Sequence, residues 1–224
     1  MALWGREGLR RCPARALRDV AIPDTSKWFL TEYSLPAFWG GYAFFVGIDD
    51  SLPRLSLDLP HYRLLHSPPP SLTGLTFCLD EQRSGAVVYA SPRADVEESP
   101  VNTSVELFAA HWVLHRKLLT EAAALSIKAL ERVDLLPVGS PAWEHEWEVY
   151  KKAVDPILDR TEREMRRLDP LVWEGLTAPR DNFYGEDYCG NRYWPDMLSE
   201  YAVYAMWDAE DVLARWTEPP RVPS

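Results

Sequence analysis

The residues able to do chemistry fall into a few groups. His111 and His115 stand four apart, the helical spacing that turns two imidazoles onto one face for a metal ion. Trp112 follows His111 where a zinc protease needs a general-base glutamate, and no neighbouring cysteine or carboxylate pattern supplies a third ligand. The pair therefore reads as boundary histidines at a seam between helix and sheet. Glu144-His145-Glu146-Trp147-Glu148 offers carboxylates beside an imidazole for acid–base work. On a helix, however, Glu144 and Glu148 share a face and Glu146 does not, which suits a solvated first turn favoured by the helix dipole. Asp80 and Glu81, with Asp95, Glu97 and Glu98, place carboxylates in a turn and a loop that flank one strand. They lack a nucleophile, and they lack the alternating ligands and glycine of a calcium loop, which leaves a solvated loop or an acidic recognition patch. Ser84-Gly85 is not a nucleophile elbow, and Gly40-Gly41 opens a strand rather than a phosphate-binding helix. The run from Asn182 to Trp194 mixes aromatic rings, including Tyr184 and Trp194, with polar neighbours. Such rings either cap a core or form the hot spots of an interface.

Positioning these groups falls to the stretch from Thr73 to Val133. Thr76-Phe77-Cys78-Leu79 and Ala86-Val87-Val88-Tyr89 are strand-forming runs around a polar turn that ends on Gly85, a hairpin pattern. Thr103-Ser104-Val105-Glu106 then reads as a capping box that opens a helix. Leu107, Leu114, Leu118 and Leu125 recur at helical spacing beyond it, so an apolar face should lie on the hairpin.

Upstream, Arg10 to Val20 reads as a short helix, Trp28 to Tyr33 as a strand, Tyr42 to Ile48 as a central strand and His61 to Leu65 as a further strand. Ser51 to Leu59 is an edge or a loop. Downstream, Ser140-Pro141 caps a helix with an apolar stripe from Trp143 to Leu168, which Asp155-Pro156 should kink or restart. Asp169-Pro170 begins a short helix through Trp173, and Pro195 to Trp216 reads as a last helix. Strands first and helices later give an α+β fold: a mostly antiparallel sheet of about five to six strands in the first half, packed against long helices from the second half. We expect a single domain over 1–224, with 14–133 forming the sheet and first long helix and 140–216 the helices packed on it.

Composition narrows the function. A net charge of −10 argues against direct nucleic-acid binding, which needs a basic face, and favours basic partners. Three widely spaced cysteines without a Cys-x-x-Cys suggest neither a disulfide framework nor a zinc ribbon, so a reducing cytoplasm is the simplest home. No apolar run is long enough to span a membrane. No cofactor and no metal are expected, and no enzyme activity.

The run FCLDEQRSGAVV followed by VNTSVELF resembles the fourth immunity subgroup of the SUKH superfamily, in which a Cys-Leu-Asp strand, a Gly turn and a Val-Val strand precede an Asn-Ser/Thr-Ser helix start. LRDVAIPDTSKWFL is similar to the family's opening element, and the resemblance covers roughly Ala14 to Val133 in order and, more loosely, the helices after it. Ala21-Ile22 departs from the usual Gly-Leu, and Pro100 stands where an aromatic often precedes Val-Asn. The resemblance implies an antitoxin that binds a cognate polymorphic toxin in the cytoplasm. An acidic inhibitor matches a basic nuclease-type toxin, whose active site it would occlude. Surface chemistry nominates Asp80, Glu81, Glu97 and Glu98 for steering and Tyr184 and Trp194 as anchors, with a monomer favoured. The alternatives are a regulatory or scaffold protein of the same superfamily, and a metal-dependent hydrolase using His111 and His115 with Glu144.

Overall fold

The computed structural model describes residues 9–33, 35–36, 38–39, 42–44, 52–67, 76–92, 98–133 and 135–174, together with Trp194 and Leu198. In chain order the strands are β1 (Leu9–Arg10), β2 (Leu35–Pro36), β3 (Phe38–Trp39), β4 (Tyr42–Phe44), β5 (His61–Arg63), β6 (Leu65–Ser67), β7 (Thr76–Asp80), β8 (Ala86–Ala90) and β9 (Ser99–Asn102). The helices are α1 (Asp24–Glu32), α2 (Val105–Val133) and α3 (Pro141–Leu168), with short 3-10 turns at Ala14–Leu17 and Pro170–Trp173. The chain divides into two compact units, one built on residues up to Ala110 and one from His111 onward that also holds Trp194. The boundary falls inside α2.

The N-terminal unit carries a four-stranded antiparallel sheet in the order β5-β7-β8-β9. The predicted hairpin is its centre: Thr76 to Asp80 pairs with Ala86 to Ala90 in unbroken register, and every residue of β7 is buried. Because successive strand side chains point to opposite faces, Phe77 and Leu79 share one side and Cys78 and Asp80 the other. Phe77 packs on Tyr89 and on Phe108 in the first turns of α2, each at 5.1 Å between ring centroids. The opposite face builds a cluster of Cys78, Val88 and Ala90 under Leu55.

Among the described residues the sheet has four strands, not five to six. Trp28 to Tyr33, expected as a strand, lies mostly within α1. Pro23 precedes this helix and its carbonyl accepts from the Lys27 N–H at 3.0 Å, while Ser26 and Leu30, one turn apart, are the residues it buries. Burial on that spacing outweighs the β propensity of the Trp-Phe-Leu run. Tyr42 to Phe44 pairs with β3 and β6 in a separate three-stranded sheet, and 45–48 of the expected central strand lie outside the described residues. His61 to Ser67 serves two sheets, β5 pairing with β7 and β6 with β4. Within the four-stranded sheet β9 was not expected: it contains Pro100, which an edge strand tolerates with its ring exposed while Val101 is fully buried, and the short β1, β2 and β3 were not expected either. The expected helix from Arg10 to Val20 shrinks to the 3-10 turn at Ala14–Leu17.

The start of α2 is capped one residue later than predicted. The Ser104 hydroxyl accepts from the Leu107 N–H at 3.3 Å, and the Glu106 carboxylate accepts from the Ser26 hydroxyl at 3.2 Å, tying α1 to α2. In the second unit, Ser140 caps α3 as expected, accepting from the Trp143 N–H. The buried stripe is Tyr150, Val154, Leu158, Thr161 and Met165. Pro156 faces solvent within one continuous helix, so no fresh start occurs there. Ser126 of α2 and Tyr150 of α3 share a buried hydrogen bond of 2.9 Å between hydroxyls.

Two glycines sit in left-handed backbone and allow a controlled comparison. Gly85 has φ +78°, and a Cβ there would stand 3.0 Å from Ile22 Cγ2; Gly139 has φ +76° with open space around it. Left-handed backbone costs a residue with a Cβ about 1–2 kcal/mol. Gly139→Ala should lose no more than that in urea denaturation, whereas Gly85→Ala should lose measurably more, because the Ile22 loop must also give way. Equal losses would show that the loop yields freely.

Candidate functional site

The strand ends place three of the acids singled out in the sequence, Asp80, Glu81 and Glu98, at one corner. Antiparallel pairing sets His61, at the start of β5, opposite Asp80, at the end of β7. Asp80 is 3% exposed and organises the turn: its Oδ1 accepts from the Gln82 N–H at 2.8 Å, and its carbonyl accepts from the Gly85 N–H at 2.8 Å. Its Oδ2 lies 3.4 Å from Arg83 Nε and 3.8 Å from His61 Nε2. Glu98, just before β9, brings Oε2 to 3.1 Å from the same His61 nitrogen and hydrogen-bonds Arg83.

Glu81 holds a second, separate network. Its carboxylate accepts from the backbone N–H of Ala21 at 3.0 Å, from the Tyr62 hydroxyl at 3.0 Å and from Arg54 at 3.1 Å. Arg54 also donates to the Tyr62 hydroxyl at 2.7 Å and to the Leu59 carbonyl at 3.1 Å, and its guanidinium lies 4.6 Å above the Tyr62 ring. Burial acts to raise the Glu81 pKa, but the Ala21 N–H, the Tyr62 hydroxyl and Arg54 together hold it below the usual carboxylate range. Tyr62 is shifted up, first by burial and then by Glu81. On the sheet face beneath Glu98, burial pushes the Cys78 thiol up to about 12, so it is a packed thiol and not a nucleophile.

The structure thus brings Asp80, Glu81 and Glu98 to one corner, each already engaged with a cation or a histidine. Glu97, Asp95 and Tyr184 lie outside the described residues. Trp194 is 2% exposed in the second unit, its ring 5.2 Å from His111 and 5.3 Å from Trp112. His111 and His115 are fully buried there, whereas Glu144 is exposed on the first turn of α3. Sequence reasoning passed over His61, Arg54, Tyr62 and Arg83. The signal was present for His61, since aligning the apolar runs with Tyr62 opposite Leu79 forces His61 opposite Asp80. Arg54 was not legible, because it reaches Glu81 from a loop joined to β5 by an isolated bridge at Tyr62.

A four-stranded antiparallel sheet, helices that follow it and an internally paired acidic corner define an α+β protein whose charged groups at this corner hold one another in place. A family model described as SUKH-4 immunity protein matches residues 1–200, and the chain belongs to that family. Membership supports an immunity-protein role, and the match takes in both the Ala14 to Val133 stretch and the helices after it that the resemblance covered more loosely. Searches among curated proteins and among solved structures found no match. Among the described residues, no helix is long and apolar enough to cross a membrane.

His115 supplies a pH test of this packing. Burial pushes its imidazole from the ordinary 6.5 down to about 3. Between those values the unfolded chain binds more protons than the folded one, so the contribution is complete above pH 6.5 and declines as pH falls. Roughly 2 kcal/mol should be lost between pH 7 and pH 5 through this ring alone. Urea midpoints for wild type and His115→Phe should diverge across that interval, the variant showing the flatter profile; parallel profiles would place the ring in a solvated setting.

Proposed function

We propose that this chain is a cytoplasmic immunity protein that binds a cognate toxin and blocks its active site, the whole of 1–224 acting as one monomeric, non-enzymatic domain. Family membership over residues 1–200 is the observation that carries this reading. The net charge of −10 supports a basic partner, of which a nuclease is the natural example because it must hold a polyanion. The chain would then meet the toxin and not the toxin's nucleic acid.

The paired state of the corner refines the steering idea. Arg54 offsets Glu81, and Arg83 offsets one of Asp80 and Glu98, so the corner keeps about one negative charge when His61 is neutral. Long-range attraction therefore comes from the whole acidic surface, and Glu98 and Glu97 act as its local contribution while Asp80 holds the turn from inside. Trp194 supports the second unit from within, and Tyr184 remains an anchor proposed on chemistry. A further aromatic pair stands in the same unit as the corner: Trp28 is 57% exposed and Tyr33 43% exposed on and just after α1, with ring centroids 5.1 Å apart. Exposed rings of this kind carry the largest share of binding energy at interfaces. The loop before α1 touches the hairpin turn, since the Ala21 N–H bonds Glu81 and Ile22 packs against Gly85.

Co-expression with the adjacent reading frame, which this reading expects to encode the toxin, tests the role, and rescue of growth is expected. With purified partners, Trp28→Ala and Tyr33→Ala should speed dissociation about tenfold or more. Glu97→Gln with Glu98→Gln should instead slow association and flatten its dependence on salt. An unchanged association rate and salt slope in the double variant would remove the steering part. No rescue and no complex would remove the reading as a whole.

A further inference from the structure

We propose that His61, Asp80 and Glu98 form a binding site for a zinc-class divalent cation. One ligand atom from each residue lies within 4.8 Å of the others, and among the described residues this is the group of histidine, cysteine and carboxylate side chains that meets that condition. The two distances to His61 Nε2 are 3.1 Å from Glu98 Oε2 and 3.8 Å from Asp80 Oδ2. A tetrahedral ion with bonds of about 2.0–2.1 Å sets its ligand atoms about 3.3 Å apart. The observed triangle needs only side-chain adjustment to reach that spacing.

The independent observation is the histidine itself. Its side chain is only 8% exposed and points at both carboxylates, yet neither ring nitrogen makes a hydrogen bond among the described residues. A buried imidazole without a hydrogen bond is costly, and binding a cation through Nε2 removes that cost for one nitrogen. Charge points the same way. Two carboxylates face one guanidinium, Arg83, which leaves the cluster one positive charge short. A divalent ion on Asp80 and Glu98 brings it to neutrality and frees Arg83, whose side chain is 51% exposed and free to swing into water. The alternative filler of the deficit is a proton on His61, which the experiment separates from a metal.

The donor set of one imidazole and two carboxylates suits zinc or its first-row neighbours rather than calcium or magnesium, which take oxygen ligands alone. Water would fill the fourth position on the more exposed side of the cluster, where Glu98 is 29% exposed. The ion would join the start of β5, the hairpin turn and the entry to β9, which come from distant parts of the sequence. This site shares Glu98 with the steering patch but does not carry the immunity role, so its failure would leave that role untouched.

The test uses the full chain, stripped with chelator and titrated with zinc by calorimetry. One ion per chain is expected, with a rise in melting temperature. His61→Gln and Glu98→Gln should each weaken binding at least about tenfold, since even outer-shell losses reach that size. Arg83→Ala, at a half-exposed position, should tighten zinc binding because it removes the competing cation. Cobalt in place of zinc should give the visible absorption of a four- or five-coordinate ion in wild type and lose it in Glu98→Gln. Absence of zinc binding in both wild type and Arg83→Ala would overturn the proposal. So would zinc affinity unchanged by either ligand substitution, or a corner that responds to pH alone.

Discussion

The N-terminal unit depends on how the β7–β8 turn is fastened. Asp80 bonds the turn from inside through its carboxylate and its carbonyl, while Glu81, the next residue, fastens the loop before α1 by accepting from Ala21. Two adjacent acids, one ending β7 and the other opening its turn, thus hold two different things: one the hairpin, the other the chain that enters α1. Gly85 completes the arrangement, because only a residue without a Cβ lets Ile22 come this close. α1 then reaches Glu106 through Ser26, so the opening segment, the hairpin and the first turn of α2 form one connected set.

That arrangement explains which parts of the fold were legible. The hairpin was readable because its strands, turn and glycine are contiguous and each local preference agrees with the pairing. The long helices were readable because their apolar stripes run for many turns; the α3 stripe from Tyr150 to Met165 is buried as its spacing requires. α1 was misread because Trp28, Phe29 and Leu30 are consecutive bulky residues, and what decides the helix is burial of Ser26 and Leu30, a tertiary fact. β9 was hidden by Pro100, which excludes a central strand and not an edge one. The candidate site was half legible. Its acids were singled out as free surface charge, but their partners Arg54, Arg83 and His61 are remote in sequence and reach them only through sheet register and loop packing.

The corner also shows why an acidic run does not translate directly into an acidic surface. Asp80 is almost wholly enclosed, Glu81 is held by three donors, and Glu98 faces both a guanidinium and an imidazole. Much of the local charge is spent on architecture, and the field available to a partner is that of the whole chain. In the second unit the same caution applies to histidines: His111 and His115 share a helical face, as spacing predicted, and that face is packed around Trp194. Family membership, not any one constellation of side chains, is what directs the functional reading.

That reading makes the protein a stoichiometric blocker. The most direct measurement is residual toxin activity as purified chain is added in increasing molar ratio to the proposed cognate toxin. Occlusion predicts a linear fall to zero that ends at one chain per toxin. Undiminished activity at molar excess, or full loss at a small fraction of an equivalent as a turning-over enzyme would give, would contradict it.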